Sequence, residues 1–63
     1  MHRQTIKRTR LRLGMTQRAL GKRIGVTRSA MANFENGYRK ISSFYMRRIT
    51  LALRPKHYHH FAS

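Results

Sequence analysis

The chain has no cysteine, no tryptophan and no aspartate, and only one glutamate and one proline among its 63 residues. Without cysteine there are no disulfides, no thiolate chemistry and no cysteine-ligated zinc, which fits a reducing compartment. A single carboxylate cannot perform paired-carboxylate acid–base work, and two-metal phosphoryl chemistry needs several. Only a His/Lys type of nuclease chemistry stays open, so the chain is not expected to be an enzyme, and no cofactor or small-molecule ligand is expected. No apolar run is long enough for a membrane span. The basic N-terminus lacks the apolar stretch of a signal peptide. A cytoplasmic protein is therefore expected.

Against that one acid stand fifteen lysines and arginines, for a formal net charge of +14. Self-repulsion of this size destabilises a compact state unless a polyanion offsets it. Nucleic acid is the expected partner. The excess is spread over the whole chain, so one small domain covering residues 1–63 is expected to carry it, near the lower size limit for independent folding.

Glycine and proline divide the sequence into helical segments, with no convincing strand alternation and no repeat. The expected fold is all-α: a small bundle of four to five short helices at about 3–13, 17–24, 28–36 and 43–53, with 54–63 as a tail or short fifth helix. Pro55 stops the fourth helix. In the first segment Ile6, Arg10 and Leu13 share one stripe, with an arginine at its centre. Gly14 suits a left-handed cap. Thr16 and Thr27 are expected to cap the second and third helices. Leu20 and Ile24 face one way on the second. Gly21 costs about 1 kcal/mol relative to alanine inside a helix, which close approach of another helix would offset.

On the third segment, Met31 and Phe34 fall on one side at about 100° per residue. Arg28, Ser29, Ala32, Asn33 and Asn36 fall on the opposite, small and polar arc. Glu35 lies between, near the core edge. On the fourth, Met46, Ile49 and Leu53 form the core stripe with Thr50 beside them. Phe44 and Leu51 fall elsewhere.

The stretch TQRALGKRIGVTRSAMANFENG, Thr16 to Gly37, resembles the helix-turn-helix of the lambdoid phage repressor and Cro (Xre-like) family. The resemblance rests on Gln17 opening the second helix, Leu20, Gly25-Val26-Thr27 in the turn, Met31, Phe34 and Glu35-Asn36-Gly37. It extends to Arg10, Leu13 and Gly14 before, and to Ser42, Met46, Ile49, Ala52 and Leu53 after. Gly21 stands where the family usually has alanine, Ile41 where it often has proline, and the residues beyond Leu53 depart from its usual fifth helix. The resemblance implies a lambda-repressor-like DNA-binding domain whose second helix crosses the DNA backbone and whose third enters the major groove, as in other helix-turn-helix repressors.

Base reading then falls to Arg28, Ser29 and Asn33, with Ala32 as an apolar contact. Arginine can fork onto guanine, asparagine can pair with adenine and alanine can meet a thymine methyl. Arg28 has the alternative of binding phosphate. Phosphate contact is expected from Gln17, Asn36, Tyr38, Arg39, Lys40 and Ser43, the last of which has the alternative of a helix cap. Arg10 and Glu35 are each a charge where an apolar residue is expected. Glu35 is the only acidic partner available to Arg10, and the resemblance implies an arginine–glutamate pair at these two positions.

The resulting expectation is a sequence-specific double-stranded DNA-binding regulator of the Cro or repressor type, acting on a palindromic operator. An antitoxin-type protein-binding module and a non-specific nucleic-acid binder are the alternatives. A homodimer is expected to form only on DNA, where phosphates offset the repulsion between two basic chains. Phe44, Leu51, Tyr58 and Phe61 either complete the core, the favoured reading, or form dimer contacts. His57, His59 and His60 lack an acidic or cysteine partner, so no metal site is expected.

Overall fold

Every helix start among the described residues has an acceptor side chain waiting for it. His2, Thr16, Thr27 and Ser42 each hold extended backbone dihedrals and accept the N–H two or three residues on, at Gln4, Ala19, Ala30 and Tyr45 respectively. The threonine and serine caps contribute about 1 kcal/mol each. In the computed structural model, which describes residues 1–54, they open four helices: α1 Arg3–Arg12, α2 Gln17–Ile24, α3 Arg28–Asn36 and α4 Ser43–Ala52. No strand occurs among the described residues. Pro55, Tyr58, Phe61, the three C-terminal histidines and the proposed fifth helix lie outside them.

The helix ends are equally specified. Gly25 and Gly37 take φ of 88° and 81°, a left-handed conformation that glycine adopts without a Cβ penalty. Beyond each, the chain folds back: Val26 N–H donates to the Gly21 carbonyl at 2.8 Å and Tyr38 N–H to that of Asn33 at 3.0 Å. These closures satisfy carbonyls the helix itself leaves free.

One core holds the helices. Ile6 from α1, Leu20 and Ile24 from α2, Met31 and Phe34 from α3, and Ile49 and Leu53 from α4 and its end are all buried. Met15, Val26, Ile41, Tyr45, Met46 and Ala52 pack around them. α2 is central, lying against both α3 and α4, while α1 lies against α3.

Four expectations are corrected. Leu13 is 43% exposed rather than core; it is the C-cap of α1, with φ −84° and ψ 0°, so the helical phase has already ended there. Thr50 is exposed and its hydroxyl donates to the Met46 carbonyl at 2.8 Å. The buried stripe of α4 is turned instead toward Tyr45 and Ala52. Phe44 and Leu51 do not complete the core: they stand 58% and 53% exposed. Gly21 is approached by the turn, not by another helix, since a Cβ there would lie 2.9 Å from the Val26 carbonyl oxygen and 3.2 Å from that of Thr27.

Two charged residues are buried with the apolar ones, Arg10 and Glu35 at 5% exposure each. Arg10 Nε donates to Glu35 Oε2 at 2.7 Å and Nη2 to Oε1 at 3.0 Å, a two-pronged pair. Arg10 Nη1 donates to the Met15 carbonyl at 2.8 Å, and Gln17 Nε2 adds a donor to Glu35 Oε1 at 3.1 Å. No buried side-chain polar atom among the described residues lacks a partner. Such a pair need not exceed an apolar replacement in stability, but deleting one partner strands a buried charge at a cost of about 3–5 kcal/mol. Glu35→Gln and Arg10→Met are therefore each expected to lower the melting temperature sharply. The double variant is expected to lose less than the two losses added, and a strictly additive cycle in thermal melts would show the groups to be uncoupled.

Candidate nucleic-acid interface

α3 is two-sided. Its inner face is Met31, Phe34 and Glu35, all buried. Its outer face carries Arg28, Ser29, Asn33 and Asn36, exposed, with Ala32 and Ala30 half-buried along the edge. The outer side chains are short after Arg28, so the helix backbone can approach another surface closely. None of the outer side chains makes a side-chain hydrogen bond, so their donors and acceptors are free among the described residues.

The angle at which this face is presented is set from behind. Glu35 is held by Arg10 of α1 and Gln17 of α2, so three helices converge on one carboxylate. Arg3 reaches the far end of α3, where its Nη1 donates to the Glu35 main-chain carbonyl at 3.4 Å. Its guanidinium also sits over Gly37, where an added Cβ would lie 3.0 Å from Cζ. α3 has no basic residue in its own last turn. Arg3 thus supplies the positive charge that favours a helix C-terminus.

Gln17 is half-buried rather than fully free, and its carboxamide nitrogen is already engaged by Glu35. It lines a depression with Thr16, Arg18, Arg28 and Arg10. The Thr16 hydroxyl takes the Ala19 N–H at 3.0 Å, and the N–H groups at the start of a helix have no partner within it. Free donors and two exposed guanidiniums, Arg18 and Arg28, therefore face the same hollow at the junction of α2 and α3. Arg18 was not singled out from the sequence. Its signal is a basic side chain in the first turn of the second helix of the motif.

The loop after α3 is also ordered by a packed charge. The Arg39 guanidinium lies 5.3 Å from the centroid of the Phe34 ring. A guanidinium stacked on a ring face keeps its in-plane N–H donors for an anion. Tyr38 is 83% exposed, and Lys40 is exposed beside it. Ser42, not Ser43, caps α4, with its hydroxyl accepting the Tyr45 N–H at 3.3 Å; the Ser43 side chain stands exposed. Of the predicted residues, Arg28 and Gln17 stand at the α2–α3 junction, Ser29, Ala32 and Asn33 follow along α3, Asn36, Tyr38, Arg39 and Lys40 lie at its far end, and Ser43 stands apart at the start of α4.

No group of His, Cys, Asp or Glu able to hold a metal occurs among the described residues. No helix among them is long and apolar enough to cross a membrane.

Neither the curated proteins nor the solved structures contain a significant match to the chain. The family model described as Helix-turn-helix, however, matches residues 6–56. That span begins at the buried Ile6 of α1, takes in α2, its turn and α3, and runs through α4. With a two-sided α3 held across α2 by a short turn, the chain belongs to the helix-turn-helix family of the Xre and lambda-repressor type, whose members are DNA-binding regulators of transcription.

Proposed function

We propose that the protein is a sequence-specific regulator of the Cro or repressor type, with α3 lying in the major groove of a palindromic operator. The observation that carries this reading is the division of α3: Met31, Phe34 and Glu35 are buried while Arg28, Ser29 and Asn33 are exposed and unpaired. In this reading Arg28 and Asn33 read base edges, Ser29 adds a hydrogen bond and Ala32 meets a thymine methyl. Gln17, Asn36, Tyr38, Arg39, Lys40 and Ser43 meet phosphates, which fix the register without reading sequence. The engaged nitrogen of Gln17 gives it a further role, tying the phosphate-facing end of α2 to the carboxylate that orients α3.

Two basic chains gain nothing electrostatic by pairing in free solution. The only carboxylate side chain in each is buried on Arg10. The exposed Phe44 and Leu51 share their surface hollow with Arg23, Arg47 and Arg48. Pairing therefore takes place on the operator, where phosphates lie between the like charges. In this reading the protein acts inside the cell, at its operator.

Selection of duplexes from a random pool, followed by titration, tests the reading. Arg28→Ala and Asn33→Ala are each expected to cost about 1–3 kcal/mol on the selected site and to relax preference at one position. Equal losses on selected and random duplex would make both residues phosphate contacts. Arg39 and Lys40 alone supply about −1.8 to the slope of log affinity against log salt, at about −0.9 per neutralised phosphate. A slope steeper than about −2 is expected, and a flat one contradicts DNA binding of this kind. In sedimentation at low salt the free protein is expected as a monomer. A tight dimer without DNA would refute operator-driven pairing.

A further inference from the structure

α1 carries more exposed positive charge than packing requires. Arg3, Lys7, Arg8 and Arg12 are all exposed along its ten residues. The spacing of Arg3, Gln4, Lys7, Arg8 and Leu11 places them on one stripe at about 100° per residue, beside the stripe that buries Ile6 and Arg10. These five side chains line one shallow groove with Glu35 and Asn36 of α3. The hydrogen bond from Arg3 to the Glu35 carbonyl fixes the N-terminal half of α1 against the C-terminal end of α3. The groove is therefore continuous with the end of the recognition helix and, through Asn36, with the loop of Tyr38, Arg39 and Lys40.

Nothing within the described residues uses the charge of Lys7 or Arg8. The ion pair between Arg10 and Glu35 is the one salt bridge among them, and Lys7 and Arg8 make no hydrogen bond. Placing cations this close together without a carboxylate raises the energy of the free chain. An anionic surface along the stripe offsets that cost, and a stripe that begins beside Asn36 meets the same duplex that α3 contacts.

We propose that Lys7 and Arg8, with Arg3 at the head of the groove, form a second phosphate-binding track that grips the DNA backbone flanking the bases facing α3. The inference rests on the proposed DNA-binding function and extends its footprint beyond the helix-turn-helix. Phosphate contacts fix register without reading bases, so the track adds affinity and salt dependence but no sequence preference. The exposed Leu11 gives the stripe an apolar floor on which the long side-chain stems can lie.

The test compares two charge-matched variants. Lys7→Gln with Arg8→Gln removes two charges from α1, and Lys22→Gln with Arg54→Gln removes two exposed charges from outside both the α3 interface and the hollow around Phe44. Each is titrated against a selected and a random duplex over a range of salt, with thermal melts to establish that both fold. The α1 variant is expected to reduce the steepness of the salt slope by about 1.8 units, at about 0.9 per lost phosphate contact. It is expected to weaken both duplexes by the same factor, leaving the ratio of selected to random unchanged. Hydroxyl-radical footprints are expected to lose protection at the flank only. The Lys22 and Arg54 variant is expected to leave slope and footprint nearly unchanged. Equal slope changes in the two variants would mean that only total charge matters and would overturn the proposal, as would an α1 variant with the parent slope and footprint. Absence of salt-dependent duplex binding in the parent protein itself would instead overturn the DNA-binding reading on which the track depends.

Discussion

The placement of α1, α2 and α3 against one another depends on one buried carboxylate. Glu35 gains two donors from Arg10 and one from Gln17, and Arg10 in turn ties down the Met15 carbonyl in the connection between α1 and α2. Taking two charges out of water costs several kcal/mol per ion, and only good geometry and full hydrogen bonding return it. Here both conditions hold, since the pair is two-pronged and no buried side-chain polar atom among the described residues is left without a partner. The carboxylate also sits near the C-terminal end of α3, where the helix dipole disfavours negative charge. Arg3 at the adjacent carbonyl and Arg10 at the carboxylate offset that field from outside the helix. A core of apolar side chains alone would let α3 roll or slide against α1 and α2. A directional cluster of hydrogen bonds fixes its rotation about its own axis, and with it the direction in which Arg28, Ser29 and Asn33 point.

Sequestering the only acid has an electrostatic consequence for the surface. All fifteen lysines and arginines lack an exposed acidic side chain to pair with, because the chain has none. Cations are instead accommodated by aromatic faces. Arg39 packs at 5.3 Å from the Phe34 ring centroid and Arg48 at 4.7 Å from that of Phe44. Such contacts leave guanidinium edges exposed, whereas a surface carboxylate would occupy them. The surface is thereby kept available to phosphates on several sides at once, which favours non-specific attraction. Under the proposed function, discrimination between sequences comes from the one face where the side chains are short and the helix backbone can approach closely, the outer arc of α3.

Fold class and much of the candidate site were legible because they depend on local chemistry. Thr16 and Thr27 cap the helices that follow them, and apolar periodicity separated Met31 and Phe34 from the outer arc of α3. The burial of Arg10 and Glu35 was legible for a rarer reason: with one acid in the chain, a buried arginine has only one ion-pair partner. What failed were inferences that carried helical phase past its limits. Leu13 keeps the right spacing from Ile6 and Arg10, but the helix ends at Arg12 and the side chain turns outward. On α4 three apolar residues were too few to fix the centre of the stripe, and Tyr45 and Ala52 pull it away from Thr50. The reach of Arg3 and Gln17 toward Glu35 was illegible, because long side chains choose partners only after the helices are in place.

The same balance governs stability. Among the described residues the buried apolar set is seven, drawn from four helices and their ends, a small core for a chain bearing +14. Core and caps favour the compact state, while the repulsion among uncompensated cations opposes it. Anything that binds the folded form and not the unfolded one stabilises it by mass action, and a duplex does so while also removing the repulsion. Folding and DNA binding are therefore thermodynamically linked through the same charges. A more acidic surface would relax the free protein but weaken its hold on phosphate. The chain keeps its repulsive surface and retains acid only at Glu35, where burial on Arg10 hides it from DNA and its hydrogen bonds hold α3 in place.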